Sequence, residues 1–234
     1  MSISIIIPVY NEEECIKLCV EETQRAFQEV DYEILIVNDG STDQSHGVIS
    51  ALAAGNGHIQ YISYPENKGY SHAIRRGIQL ASKEYTSYLD ADLQYLPTEL
   101  RKMYEFAVKN RYVFVLGKPT RKYYKFLRHF MSLVYNFLVA QLLNLRVGDA
   151  NSLKLIATQT LKALELKREF GGVELEILLG MIDHSIPIIL FPIHVQERLA
   201  GKSKAGLKII LSTLGHIVDL RRSQRESRRG QRQP

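Results

Sequence analysis

Apolar and polar positions along the first half of the chain alternate between short unbroken runs and longer periodic stretches. Ile3-Ser4-Ile5-Ile6-Ile7-Pro8-Val9 is almost wholly apolar and rich in β-branched residues, which suits a strand buried on both faces. Residues 12–28 carry helical spacing, 32–37 form a second β-rich run, and the cap-like Ser41-Thr42-Asp43 announces another helix. The alternation continues with a strand over 59–64, a helix over 69–81, a strand over 85–89, a helix over 97–109 opened by Pro97, and a strand over 112–116. Strands separated by helices predict βαβ units, and hence an α/β fold with a mostly parallel central sheet covered by helices on both faces.

The second half changes character. Residues 123–145 are rich in Tyr, Phe, Leu and Val, with Lys122, Lys125, Arg128 and His129 near the start. Two readings stand: a helix lying on a membrane surface, or a helix or helix pair buried against the sheet. Residues 186–194 predict one more strand, which Pro187 and Pro192 assign to an edge. Arg198-Leu199-Ala200-Gly201-Lys202-Ser203-Lys204 is a basic loop, and an amphipathic helix is expected over 207–220. No run of about 20 apolar residues occurs, so no membrane span is expected. The first residues lack a basic n-region and a cleavage site, so no signal peptide is expected.

Composition adds two constraints. At 234 residues, 45% hydrophobic and 24% charged, the chain can bury one substantial core; with no repeat or low-complexity linker, a single domain over 1–220 is expected. The net charge of +5 is concentrated at the end, where residues 221–234 hold many arginines and almost no apolar residue. That tail is expected to be disordered and attracted to anionic lipid headgroups. Nucleic acid is excluded as a partner because no aromatic-and-basic recognition surface accompanies it. Cys15 and Cys19, the two cysteines, fit neither a zinc site nor a disulfide framework, and read as packing residues in a reducing compartment. The histidines show no metal-ligand spacing.

The candidate chemistry lies at the ends of the predicted strands. Asp90-Ala91-Asp92-Leu93-Gln94 follows the run Tyr85-Thr86-Ser87-Tyr88-Leu89. On an extended segment, alternate side chains point the same way, so Asp90, Asp92 and Gln94 are expected to converge. Such oxygen donors suit Mg²⁺ or Mn²⁺ completed by water and phosphates; a solvated turn after a strand is the other reading. Pro8-Val9-Tyr10-Asn11-Glu12 and Asn38-Asp39-Gly40-Ser41 end the first two strands at the same sheet edge, where open α/β sheets bind ligands. Asp39 there could accept hydrogen bonds from a nucleobase or ribose, although Asn-Asp-Gly-Ser is also ordinary turn chemistry.

IIIPVYNEEE, IVNDGSTD, ENKGYSHAIRRGIQLA and YLDADLQ, in this order and spacing, closely resemble the family-2 glycosyltransferases of the nucleotide-sugar-binding A-type fold. FLRHFMSLVYNFL, GDANSLKLI, GVELEILL and ERLAGKSK further resemble the branch that glycosylates polyisoprenyl phosphates, as dolichol-phosphate mannose synthases do. The resemblance implies a nucleotide-sugar half over 1–117 and an acceptor- and membrane-facing half over 118–220. It implies that Pro8, Tyr10, Glu12, Asp39 and Gly69 serve the donor nucleotide, and that Asp90, Asp92 and Gln94 serve the Mg²⁺ or Mn²⁺ on its diphosphate. Arg198 and Lys204 would contact phosphates, with Asp92 and Arg198 as the catalytic groups, while Arg121, Arg128 and Ser132 would receive the lipid phosphate. The implied reaction moves a hexose, with inversion, from GDP-mannose or a UDP-sugar to dolichyl or undecaprenyl phosphate. The implied location is peripheral, on the cytoplasmic face of the membrane, with a membrane-protein partner or a second copy left open. The alternatives are a saccharide-extending enzyme of the same family and a non-catalytic nucleotide-sugar-binding homologue. One departure stands out: Asp149-Ala150-Asn151-Ser152-Leu153-Lys154 replaces the branch's Asp-x-x-Ser-Gly-Phe-Arg.

Overall fold

In the computed structural model, the residues described are 1–120, 149, 151–164, 166 and 172–197. The chain divides into two units, one of 1–123 with 151–201 and one of 124–150 with 202–234. The predicted helices over 123–145 and 207–220 and the basic tail lie outside the described residues.

Seven strands of the first unit form one sheet. They are β1 (Ser2–Val9), β2 (Asp31–Asp39), β3 (Ile59–Tyr64), β4 (Tyr85–Tyr88), β5 (Phe114–Pro119), β6 (Lys154–Ala157) and β7 (Ile189–Ile193), in the spatial order β3-β2-β1-β4-β6-β5-β7. All neighbours run parallel except β6, which is antiparallel to both β4 and β5. The helices are α1 (Ile16–Phe27), α2 (Ser45–Ala53), α3 (Tyr70–Leu80), α4 (Pro97–Asn110), α5 (Thr158–Ala163) and α6 (Val173–Asp183). β1 and β2 lie inside the sheet, and β1 from Ile3 to Val9 is buried throughout, as its unbroken apolar run requires. β7 is an edge strand among the described residues, as expected; it begins at Ile189 and not at 186, so it contains Pro192 but not Pro187.

The structure departs from the predicted elements at α1, β5, β6, α5 and α6. Residues 12–15 form a turn, with the Glu12 carbonyl accepting from the Cys15 and Ile16 amides, and α1 begins only at Ile16. The strand expected over 112–116 is shifted to Phe114–Pro119. β6 was not predicted, because four residues with a lysine at the front carry too little period to read. α5 and α6 were likewise not predicted; α6 is apolar nearly all round, without the one-sided stripe that marks a surface helix.

Successive strands build outward from β1 to β3, and the chain then crosses to β4 on the other side of β1. β1 and β4 therefore flank the point where strand order reverses, the place at which open α/β sheets form a crevice. Pro8 widens it. In a parallel ladder successive residues address alternate neighbours, and the Ile6 carbonyl accepts from Leu89 on the β4 side. Pro8, two residues on, turns its hydrogen-free nitrogen to that same side, beyond the last pairing of Ile6 with Tyr88. A proline is thus tolerated in an interior strand because the neighbouring strand has already ended.

α3 is drawn down onto β1 at Gly77, where a Cβ would fall inside the Ile6 side chain. Alanine there gains about 1 kcal/mol of helix propensity, but intrusion into a packed core costs about 1–3 kcal/mol. Gly77→Ala is accordingly expected to lower unfolding stability in urea titrations, and Ile6→Val in the same chain to recover part of the loss. Equal stability of Gly77→Ala and wild type would contradict this packing.

Candidate active site

The loops after β1 and β2 are joined to each other by reciprocal bonds. The Asn11 amide donates to Ser41 Oγ at 3.0 Å, Thr42 N–H to Asn11 Oδ1 at 2.8 Å, Glu12 N–H to Ser45 Oγ at 2.9 Å and Gln44 N–H to Glu13 Oε2 at 2.7 Å. Asn11 adopts φ 55°, one of the few left-handed non-glycine residues, and its side-chain bonds hold it there. Asp43 receives Ser45 N–H at 3.0 Å and Glu13 N–H at 3.2 Å. Partial burial pushes the Asp43 carboxyl upward, but donors from Ser45 and Glu13 outweigh it and hold the group below the usual carboxylate range. Tyr10 and Glu12 sit half-buried in this paired-loop structure.

Asp39 ends β2 and is 3% exposed. Its Oδ1 accepts from the Lys68 amide at 2.9 Å and its Oδ2 from the Gly69 amide at 2.7 Å, while its carbonyl accepts from Asn67 Nδ2 at 3.1 Å. The carboxylate thus fastens the loop leading into α3. Gly40 lets that loop pass, since a Cβ at Gly40 would strike the backbone of Glu66 and Asn67. Gly69 caps α3 with φ 96°, and nothing lies within 4 Å of where its Cβ would be. Its glycine is therefore required by backbone conformation, not by crowding from the protein itself.

The Asp90–Gln94 segment differs from the extended arrangement expected of it. β4 stops at Tyr88, and the segment is a tight turn. Asp92 Oδ1 accepts the Gln94 amide at 3.0 Å, an Asx-type closure, and Leu93 takes φ 57°. Ala91 and Leu93 are buried in the core, so the turn rests on apolar anchors. Asp90 is half-buried, whereas Asp92 and Gln94 are 2% and 7% exposed. The three residues are brought together by a turn, and not by strand alternation. Cys19 approaches the Asp90 carbonyl at 3.9 Å. Burial, aided by the Asp92 carboxylate, pushes the Cys19 thiol up to about 12, which keeps it protonated.

Beside Asp90 lies a set of residues of which pattern reading missed Tyr70, Tyr88 and Lys154, while Glu174 was expected to cap or pair structurally. Tyr70 Oη donates to Asp90 Oδ1 at 3.1 Å and lies 3.4 Å from Glu174 Oε1. Tyr88 Oη donates to Glu174 Oε2 at 2.8 Å, and the same carboxylate is ion-paired with Lys154, whose side chain is fully buried. Lys154 also donates to the Ser152 carbonyl at 3.0 Å and lies 5.6 Å from the centre of the Tyr88 ring. Tyr70 is 42% exposed overall, so its hydroxyl, not its ring, is withdrawn from water. Desolvation, then the Asp90 and Glu174 carboxylates, push its ionisation well above the ordinary tyrosine value, and burial followed by Glu174 does the same for Tyr88. Both hydroxyls therefore remain donors. The signal available in the sequence was a charge inside an apolar run, Leu153-Lys154-Leu155-Ile156, which demands a buried partner.

The Gln94 carbonyl accepts from the Gln196 amide at 3.0 Å, and Tyr95 bridges Val195 in antiparallel fashion. The chain thus leads towards Arg198 from a point bonded to the Asp90–Gln94 turn. Arg198, Lys204, Arg121, Arg128 and Ser132 themselves lie outside the described residues. Among the described residues, no group of three or more His, Cys, Asp or Glu could hold a metal. Two carboxylates and a carboxamide fit a hard cation whose remaining ligands are phosphate and water oxygens.

The model for the family described as glycosyl transferase family 2 matches residues 4–157. The chain belongs to that family. It is 34% identical over 165 residues to CsbB of Bacillus subtilis (strain 168), a glycosyltransferase by assigned name only, covering 69% of this chain and 50% of that protein. It is 39% identical over 111 residues to the undecaprenyl-phosphate 4-deoxy-4-formamido-L-arabinose transferase of Sodalis glossinidius (strain morsitans), covering 46% of this chain and 34% of that one. The family-2 chain thus spans a third to a half of the length of the curated relatives it matches. Glucosyl-3-phosphoglycerate synthase of Mycobacterium tuberculosis, crystallised with Mn²⁺, uridine diphosphate and its product, superimposes with TM-score 0.63 at 17% identity, covering 92% of this chain and 75% of that one. The fold is accordingly the nucleotide-sugar-binding A-type expected from the motifs.

Replacing Asp39 by Asn would set an amide NH₂ against a backbone N–H at a buried position. Asp39→Asn is expected to cost about 1–3 kcal/mol in chemical unfolding; unchanged stability would show that the two amides are satisfied otherwise.

Proposed function

We propose that this chain transfers a hexose from a nucleoside-diphosphate sugar, a UDP-sugar or GDP-mannose, to a polyisoprenyl phosphate such as undecaprenyl or dolichyl phosphate. The observation that carries the donor half is the rigid Asp90–Gln94 turn beside the β1–β4 reversal point, with Asp39 across from it on β2. The acceptor half is supported by the undecaprenyl-phosphate relatives, whose similarity covers about half of this chain.

In the reaction, the bond from the sugar's anomeric carbon to the diphosphate oxygen breaks, and one to an oxygen of the lipid phosphate forms on the opposite face. A bound Mg²⁺ or Mn²⁺ would supply charge stabilisation for the leaving diphosphate. Asp90, Asp92 and Gln94 would hold that ion, while Pro8, Tyr10, Glu12, Asp39 and Gly69 line the nucleotide side. Arg198 and Lys204 add positive charge opposite the leaving group. A lipid phosphate is already ionised near neutral pH, so Arg121, Arg128 and Ser132 need only hold and orient it. No strong general base is required.

Incubation with labelled donor sugars and undecaprenyl or dolichyl phosphate should give an organic-extractable product. Chelation with EDTA should abolish its formation, and Asp92→Asn should lower the rate by about 100-fold or more. A water-soluble saccharide product would instead support chain extension, and full activity in EDTA would remove the metal from the scheme.

We also assign the chain to the cytoplasmic membrane face, held peripherally through residues 123–145, 207–220 and the arginine-rich tail. Among the described residues, no helix is long and apolar enough to cross a membrane. Sedimentation with phosphatidylglycerol-containing liposomes at low salt, weakened by deletion of 221–234, is the expected outcome. A protein left in the supernatant with anionic and neutral vesicles alike would refute it.

A further inference from the structure

The carboxylate of Asp39 has only part of its hydrogen-bonding capacity to offer a ligand. Lys68 and Gly69 are consecutive residues, and their backbone amides reach it side by side, one on Oδ1 at 2.9 Å and the other on Oδ2 at 2.7 Å. Two adjacent donors, one on each oxygen, occupy the forked face on which a carboxylate accepts a pair of parallel hydrogen bonds. The occupation is built in. Asn67 Nδ2 donates to the Asp39 carbonyl at 3.1 Å, and Gly40 admits the loop where a Cβ would strike it. Each oxygen keeps a second lone pair, directed sideways. At 3% exposure the group has room for a single further donor along such a direction, and not for a second fork.

The place of Asp39 suits the base end of a nucleotide. It closes β2, and β1 alone separates β2 from β4, which leads into the Asp90–Gln94 turn. Two strand spacings, about 10 Å, therefore part Asp39 from the segment read as holding the metal on the diphosphate. A ribose and its base span such a gap. Bases differ in what they present to an acceptor. Uracil offers one N–H, at N3, between two carbonyl oxygens. Guanine offers two neighbouring donors, N1–H and the amino group on C2, which a carboxylate satisfies together only through its fork. With the fork taken by Lys68 and Gly69, guanine leaves one donor unpaired against a buried group, a loss of about tenfold or more in affinity. We infer that Asp39 selects uracil over guanine, so that the sugar arrives on uridine diphosphate. This rests on the proposed nucleoside-diphosphate donor and narrows it. The discrimination comes from a partner withheld from the wrong base, and needs no extra contact to the right one.

The test uses the full chain with Mn²⁺ and isothermal titration calorimetry, with UDP, GDP, 3-methyl-UDP and 2′-deoxy-UDP as probes. UDP is expected to bind about tenfold tighter than GDP, methylation of N3 to weaken UDP by a similar factor, and 2′-deoxy-UDP to stay close to UDP. Asp39→Asn puts a neutral, weaker acceptor in the same place and should shrink the penalty of N3 methylation. Thermal unfolding checks that this variant is folded; if it is not, the wild-type probe series decides alone. A methylation penalty that persists undiminished in folded Asp39→Asn traces to the bulk of the methyl group, and overturns the inference. GDP binding as tightly as UDP overturns it too, while leaving a nucleoside-diphosphate donor standing. A loss with 2′-deoxy-UDP but not with 3-methyl-UDP would move Asp39 to the ribose and likewise sink the selection of base. Wild-type protein that binds neither UDP nor GDP would overturn the donor reading as well.

Discussion

Lys154 projects from the middle of the sheet with its side chain removed from water, and an ammonium so placed persists only where a carboxylate and further acceptors meet it. Glu174 and the Ser152 carbonyl are those acceptors. Much of the local architecture follows from this one requirement. β6 has to run against its neighbours for its first residue to reach the site edge, and α6 has to start there to deliver Glu174. Tyr88 donates to the same carboxylate, and the Tyr70 hydroxyl, 3.4 Å from its other oxygen, gives its one proton to Asp90 at 3.1 Å. Replacing Lys154 or Glu174 alone would leave the other's charge stranded, so the pair is constrained together.

The first half of the fold was legible because each element there repeats a simple rule. Ile3 to Val9 had to be a strand buried on both faces, and it is. The helices over 69–81 and 97–109 carried clear spacing and, for the second, an opening proline; they were found within a residue at each end. Over 154–183 local rules fail. Lys154–Ala157 is too short and too mixed to announce a strand, and Val173–Asp183 has no polar face to reveal its orientation. Both owe their structure to each other and to the sheet, and such non-local dependence leaves no local signature.

The place of the candidate residues in the fold was legible more than the shape of the turn that carries three of them. Asp39, Asp90 and Asp92 were singled out as acidic residues following apolar runs, and each stands at the sheet edge expected of it. The reason for their convergence was wrong for the Asp90 turn, because a left-handed Leu93 and an Asx closure interrupt the extended backbone. The partners of these carboxylates were invisible for a different reason. Backbone amides of Lys68 and Gly69 bind Asp39, and any residue supplies a backbone amide. Tyr70 is one tyrosine among 13, distinguished only by its neighbours in space.

Pro8 gives the crevice a covalent origin. Two parallel strands left alone tend to zip for as long as both can exchange hydrogen bonds, and a gap between them closes unless something is inserted. Here the pairing of β1 with β4 ends at Ile6 and Tyr88, and Pro8, the next residue of β1 facing that side, offers no donor to extend it. The notch is therefore present from the moment the sheet forms. A ligand arriving there meets an opening made in advance, and its binding need not be spent on prising the strands apart.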